Sequence, residues 1–86
     1  MGRGRNPSTS ETQILLEIFL SRDRAVFGVE IAERVPIGGE RVRQILQELE
    51  SEGLVDKRKV SGRNIYRLTD EGYGQLADEL RDAVSQ

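Results

Sequence analysis

Hydrophobic residues recur along the chain at two different periods, and the changes of period divide it into elements. Ile14, Leu15, Ile18 and Phe19 share one helical stripe. Leu16 and Leu20 widen it, so the first helix should meet apolar surface on more than one side. Ser10 stands where an N-cap belongs and Glu11 follows in the turn where the helix dipole favours an anion; the helix should end near Ser21–Arg24. Ala25–Val26–Phe27 is a short β-prone piece closed by Gly28. Ile31, Ala32 and Val35 then give a second helix two turns until Pro36 stops it, and Pro36–Ile37–Gly38–Gly39 makes a compact turn. From Glu40 to Glu52 the positions Val42, Ile45, Leu46 and Leu49 follow i, i+3, i+4 and i+7, with Gly53 placed for a left-handed C-cap.

From Leu54 to Val60 the pattern moves towards period two. Val60 to Asn64 reads as a turn and Ile65–Leu68 as the returning arm of a hairpin. Thr69 caps a last helix with Asp70 and Glu71 in its first turn, and Tyr73, Leu76, Ala77, Leu80 and Val84 form its stripe. The predicted fold class is α+β, mostly α: a winged helix-turn-helix with a three-helix core, a β-hairpin wing and a C-terminal helix. Its organisation is a basic arm over residues 1–9, the winged domain over 10–68 and a C-terminal helix over 69–86 that serves dimerisation. In such an arrangement the second helix of the tight pair lies in the major groove, with its N-terminal residues near base edges.

Composition narrows the chemistry. A chain of 86 residues makes one small domain and buries only about 60–65% of its unfolded surface, so a second chain would help it. The apolar runs Ile14–Leu16 and Ile18–Leu20 fall far short of the roughly 20 residues a membrane span needs. The opening MGRGRNPSTS has no apolar core for a signal peptide, so a cytoplasmic protein without a membrane partner is expected. With no Cys and no His there is no disulfide framework, no Cys/His zinc site and no imidazole or thiol for nucleophilic catalysis. The expectation is a non-enzyme without metal or cofactor.

The net charge of −2 is unevenly spread. Residues 11–55 hold five arginines against nine acids, and residues 69–86 set Arg81 against five acids. Between them, residues 56–67 carry Lys57, Arg58, Lys59, Arg63 and Arg67 against Asp56 alone. Because phosphates are met by one face, this local concentration outweighs the acidic total and points to nucleic acid. Strand alternation lets at most two of Lys57, Arg58 and Lys59 line one surface, joined by Arg63 or Arg67 across the hairpin. Arg63 and Asn64, nearest the tip, are the candidates for the minor groove. A solubilising edge strand protected by charge is the plainer explanation. On the third helix, Arg43, Gln44 and Gln47 are the leading base readers, since arginine pairs bidentately with guanine and glutamine with adenine. Gly39, Glu40 and Arg41 complete that end of the interface, although Arg41 could equally pair with neighbouring acids. Glu48, Glu50 and Glu52 would repel phosphate, so only the N-terminal half should enter the groove. Arg3 and Arg5, flanked by glycines, suit a minor-groove arm or an inconsequential terminus. Tyr73, Leu76, Leu80 and Val84 are candidates for a dimer seam, while Tyr66 and Phe19 belong to the core.

Three passages resemble known regulators. Phe27–Arg34 (FGVEIAER) resembles a segment of PadR-like regulators. Leu46–Val55 (LQELESEGLV) is similar to a passage shared by PadR, MarR and archaeal phage-repressor-like winged helices, and Arg63–Gly72 (RNIYRLTDEG) to their passage from wing into last helix. The likeness spans about residues 12–84 and departs at Pro36–Glu40, where relatives often carry Ser or Thr, and in the short wing turn. It implies a transcriptional regulator that binds double-stranded operator DNA as a homodimer, repression by promoter occlusion being the default. No effector pocket is evident in the sequence and the effector is unknown, although a cleft between the dimer helices and the DNA-binding region could bind a small hydrophobic ligand. The rival is a winged-helix protein-interaction module, an adaptor without DNA binding.

Overall fold

The computed structural model describes residues 9–85. Helix α1 (Thr9–Leu20) leads through a 3-10 turn at Arg22–Arg24 into strand β1 (Ala25–Phe27). Helices α2 (Gly28–Arg34) and α3 (Gly39–Ser51) follow, then strands β2 (Val55–Val60) and β3 (Arg63–Leu68), then helix α4 (Asp70–Ser85). The strands form one antiparallel sheet in the order β1-β3-β2, with β3 at the centre. This is the α+β winged helix-turn-helix expected from the hydrophobic periods.

The core collects one face from each element. Ile14, Leu15 and Ile18 of α1, Ile31 of α2, Val42, Ile45, Leu46 and Leu49 of α3 and Val26, Val55 and Tyr66 of the sheet are buried, and Phe19 packs against them. Leu16 is half-buried, but Leu20 is exposed, so the widened stripe of α1 is covered on one side only. Ser10 is not the N-cap, since α1 already includes Thr9. Glu30 accepts a hydrogen bond from the Phe27 N–H (3.3 Å) and so closes the start of α2.

Two turns carry the unusual backbone. Asp23 (φ 60°) and Arg24 (φ 54°) are both left-handed, a conformation costly for residues with a Cβ. Arg24 offsets that cost by donating from Nε to the Phe19 carbonyl (3.2 Å) and laying its guanidinium 4.6 Å from the Phe19 ring centre. At the hairpin, Ser61 (φ 52°) and Gly62 (φ 79°) alone make the turn. The expected five-residue turn over 60–64 is therefore corrected: Val60 pairs with Arg63 and Lys59 with Asn64, so both Arg63 and Asn64 lie in β3. Two consecutive left-handed residues match the twist of the flanking strands and let pairing run to the tip.

Helix α3 starts and stops one residue before the expected 40–52. Its end is a Schellman motif: Leu54 N–H donates to the Leu49 carbonyl (2.9 Å) and Gly53 N–H to that of Glu50 (3.0 Å), with Gly53 at φ 78°. Leu49 and Leu54, both buried, supply the accompanying apolar contact.

Candidate nucleic-acid interface

The candidate surface comprises the exposed side of α3 and the wing formed by β2 and β3. Burial of Val42, Ile45, Leu46 and Leu49 fixes the rotation of α3 and leaves Glu40, Arg41, Arg43, Gln44 and Gln47 exposed. Helical spacing turns Gly39, Arg43 and Glu50 towards the wing, and puts Gln47, Glu40 and Gln44 in sequence around the outer surface. Among the described residues Arg41 pairs with no acid; its Nη1 donates weakly to Gln44 Oε1 (3.5 Å). A groove of about 580 Å³ separates the wing from the two helices of the helix-turn-helix, with Val29 and Ala32 on α2, Glu40 and Arg43 on α3, and Arg63 and Asn64 on β3 along its walls. The polar walls of this groove thus bring together residues from both halves of the expected DNA surface.

Register sorts the wing's charges into two sets. Directly paired residues share a face of an antiparallel ladder. Lys57 opposite Tyr66 and Lys59 opposite Asn64 lie on the side of the sheet that buries Tyr66 and Val26. Arg58 opposite Ile65, Arg63 opposite Val60 and Arg67 opposite Asp56 lie on the other side. The two cations of the β2 triplet that share a surface are thus not the ones joined by Arg63 and Arg67; Arg58 is.

Lys57 is turned inward, with Nζ 3.7 Å from Glu50 Oε1 of α3. One of the late acids of α3 thus pairs with the wing. Arg43, Arg58, Lys59 and Arg67 form no ion pair among the described residues. Arg63 has an apolar support instead, its guanidinium lying 4.3 Å from the centre of the Phe27 ring. Pattern reading gave Phe27 no such role, because the contact joins positions far apart in the chain. Arg3 and Arg5 lie outside the described residues.

On α4, one of the four seam candidates moves. Leu76 is 2% exposed and packs in the protomer's own core, whereas Tyr73 (49%), Leu80 (38%) and Val84 (84%) are open. The physical reason is that α4 carries two adjacent stripes: Gly72 and Leu76 face the domain, while Tyr73, Ala77, Leu80 and Val84 follow i, i+4, i+7 and i+11 beside them. The Tyr73 ring also packs against that of Phe19, tilted by 41° with centres 5.4 Å apart, joining this open stripe to the end of α1. Among the described residues no group of acids is placed to hold a metal, and no helix is long and apolar enough to cross a membrane.

No protein-family model and no curated protein matches the sequence. Solved structures do. A MarR-family transcriptional regulator from Streptomyces coelicolor superposes with a TM-score of 0.86 at 23% identity, over 92% of this chain and 56% of that one. RosR of H. salinarum gives 0.82 at 24%, over 96% and 79%. The YusO protein of Bacillus subtilis gives 0.80 at 22%, over 91% and 57%. The chain thus spans little more than half the length of two of these three proteins. The likeness lies with MarR-type structures, and the PadR element of the sequence resemblance gains nothing from it. The chain has the winged helix-turn-helix fold of MarR-family transcriptional regulators.

Proposed function

We propose that this protein is a sequence-specific double-stranded DNA-binding regulator that acts in the cytoplasm as a homodimer and represses by occluding a promoter. The observation that carries the reading is the convergence of Arg43 on α3 with Arg63 and Asn64 on the wing along one groove, with Gln44 and Gln47 exposed beside it. Arginine and glutamine on an exposed recognition helix offer bidentate partners for guanine and adenine. Lys59 on one side of the wing and Arg58 and Arg67 on the other, none of them in an ion pair among the described residues, add charge for the phosphates. The open stripe of Tyr73, Leu80 and Val84 on α4 supports pairing with a second copy, which would bury apolar surface that a domain of this size leaves open. The regulators with which the chain shares its fold support the class of function.

The test is fluorescence anisotropy with a labelled generic duplex, titrated at several salt concentrations while the oligomeric mass is recorded. Affinity should fall log-linearly with salt, with a slope that counts phosphate contacts. A folded protein that binds no duplex at the lowest salt would overturn the reading. The acids Glu48 and Glu52 on the exposed far end of α3 favour the adaptor alternative, in which α3 meets a protein. Replacing Arg58 and Arg63 by Ala separates the two, because an adaptor would keep its partner.

A further inference from the structure

The end of α3 and the start of α4 meet at a single hydroxyl. Thr69 Oγ1 accepts a hydrogen bond from the Gly72 N–H (3.0 Å), which is the ordinary work of a helix N-cap. The same hydroxyl donates to the Gly53 carbonyl (2.6 Å), sixteen residues earlier, inside the motif that closes α3. Capping α4 does not require that second bond. The Thr69 N–H adds a third by donating to the Leu54 carbonyl (3.2 Å). The fit leaves no slack, since a Cβ at position 72 would collide with the Leu54 carbonyl oxygen. Here the first turn of α4 meets the backbone of the turn that follows α3, with no side chain between the two.

We propose that Thr69 is a positioning residue for DNA recognition: its hydroxyl locks α4 to the end of α3 and so holds the two recognition helices of a dimer at one separation. This rests on the proposed function, in which α4 joins the protomers and α3 reads the bases. Half-site spacing on DNA follows the distance between paired recognition helices. Two direct hydrogen bonds cross this joint, from the Thr69 hydroxyl and the Thr69 N–H, and the Gly72 contact closes it, so a tilt of α4 passes to the end of α3.

The test uses the full chain, a duplex selected from a randomised pool, and the same duplex with one central base pair added or removed. Thr69→Ser keeps both hydroxyl bonds. Thr69→Asp keeps the cap on α4, but an ionised carboxylate has no proton for the Gly53 carbonyl. The native protein and Thr69→Ser should prefer the selected spacing by about tenfold or more, the discrimination of a misplaced base contact. Thr69→Asp, still folded and of native mass, should lose most of that preference while its salt slope stays unchanged. Retention of the native preference by Thr69→Asp, or its loss in Thr69→Ser, would overturn the proposal. A second measurement needs neither variant nor DNA. Residual dipolar couplings from α3 and α4 of the native protein should fit one alignment tensor, and a requirement for two would overturn the joint even if DNA binding holds. Absence of duplex binding with a single tensor would instead sink the regulator reading and leave the joint without its role.

Discussion

The Arg63 guanidinium lies 4.3 Å from the centre of the Phe27 ring, so the arginine nearest the wing's tip is braced against the residue that opens α2. A braced cation loses less side-chain freedom when it meets DNA than a free one. Arg63→Ala should therefore weaken duplex binding by about tenfold and lower the magnitude of the salt slope by roughly one contact. Arg63→Lys, which keeps the charge but stacks less well, should preserve the slope and lose part of the affinity. Anisotropy at several salt concentrations reads both quantities.

The neighbouring lysines of β2 should behave differently from each other. Lys57 is turned to Glu50, whereas Lys59 opposite Asn64 forms no ion pair among the described residues. Lys59→Ala should cost more DNA affinity than Lys57→Ala. Because the Lys57–Glu50 pair is half exposed, its loss should change stability by less than about 1 kcal/mol. Equal losses of affinity from the two substitutions would show that both lysines meet phosphate.

For base reading, Arg43→Ala should relax the preference at one base pair by about 1–3 kcal/mol, whereas Arg58→Ala should weaken all duplexes alike. Selection from a randomised duplex pool, run with each variant, distinguishes these outcomes.

Much of this architecture was legible because packing obeys the hydrophobic period. The i, i+3, i+4, i+7 pattern of Val42, Ile45, Leu46 and Leu49 located α3 to within a residue, and Gly53 marked its end correctly. Exposure of Arg43, Gln44 and Gln47 followed from the same pattern. The periods could not show which wing cation meets which neighbour, since that depends on a two-residue turn and on cross-strand register. Lys57 and Phe27 thus acquired partners that no local pattern announces. Leu76 was misplaced for a related reason: one apolar sequence on α4 serves two stripes, and only the approach of α4 at Gly72 decides which of them faces the domain.

That close approach makes Gly72 a sensitive position. Gly72→Ala should destabilise the fold by about 3 kcal/mol or prevent folding, because the obstacle is a backbone carbonyl rather than a flexible side chain. Gly74, with open space around its Cβ position, is the control, and Gly74→Ala should be neutral or stabilising by up to about 1 kcal/mol within the helix. Urea unfolding of the two variants would compare them directly.

The two stripes of α4 can be separated in the same way. Leu80→Asp should leave the secondary structure of the domain intact and shift the sedimenting mass to that of a monomer. Leu76→Ala should cost about 2–5 kcal/mol of stability through a core cavity. A dimer that survives Leu80→Asp and Val84→Asp together would place the subunit contact elsewhere.

The turn at Ser61 and Gly62 gives the wing a parity. Strand positions alternate between the side of the sheet that meets α3 and the side that faces away, and the turn is too short to absorb a change of phase. One residue inserted into β2 between Asp56 and Lys57, with Val55 still held in the core, would send Arg58 towards α3 and carry Lys57 and Lys59 to the far side, parting Lys57 from Glu50. Two inserted residues would restore the sorting and merely lengthen the wing. Changes of length in this hairpin are therefore tolerable in even steps, and an odd step exchanges the charges of its two faces without altering a single charged residue.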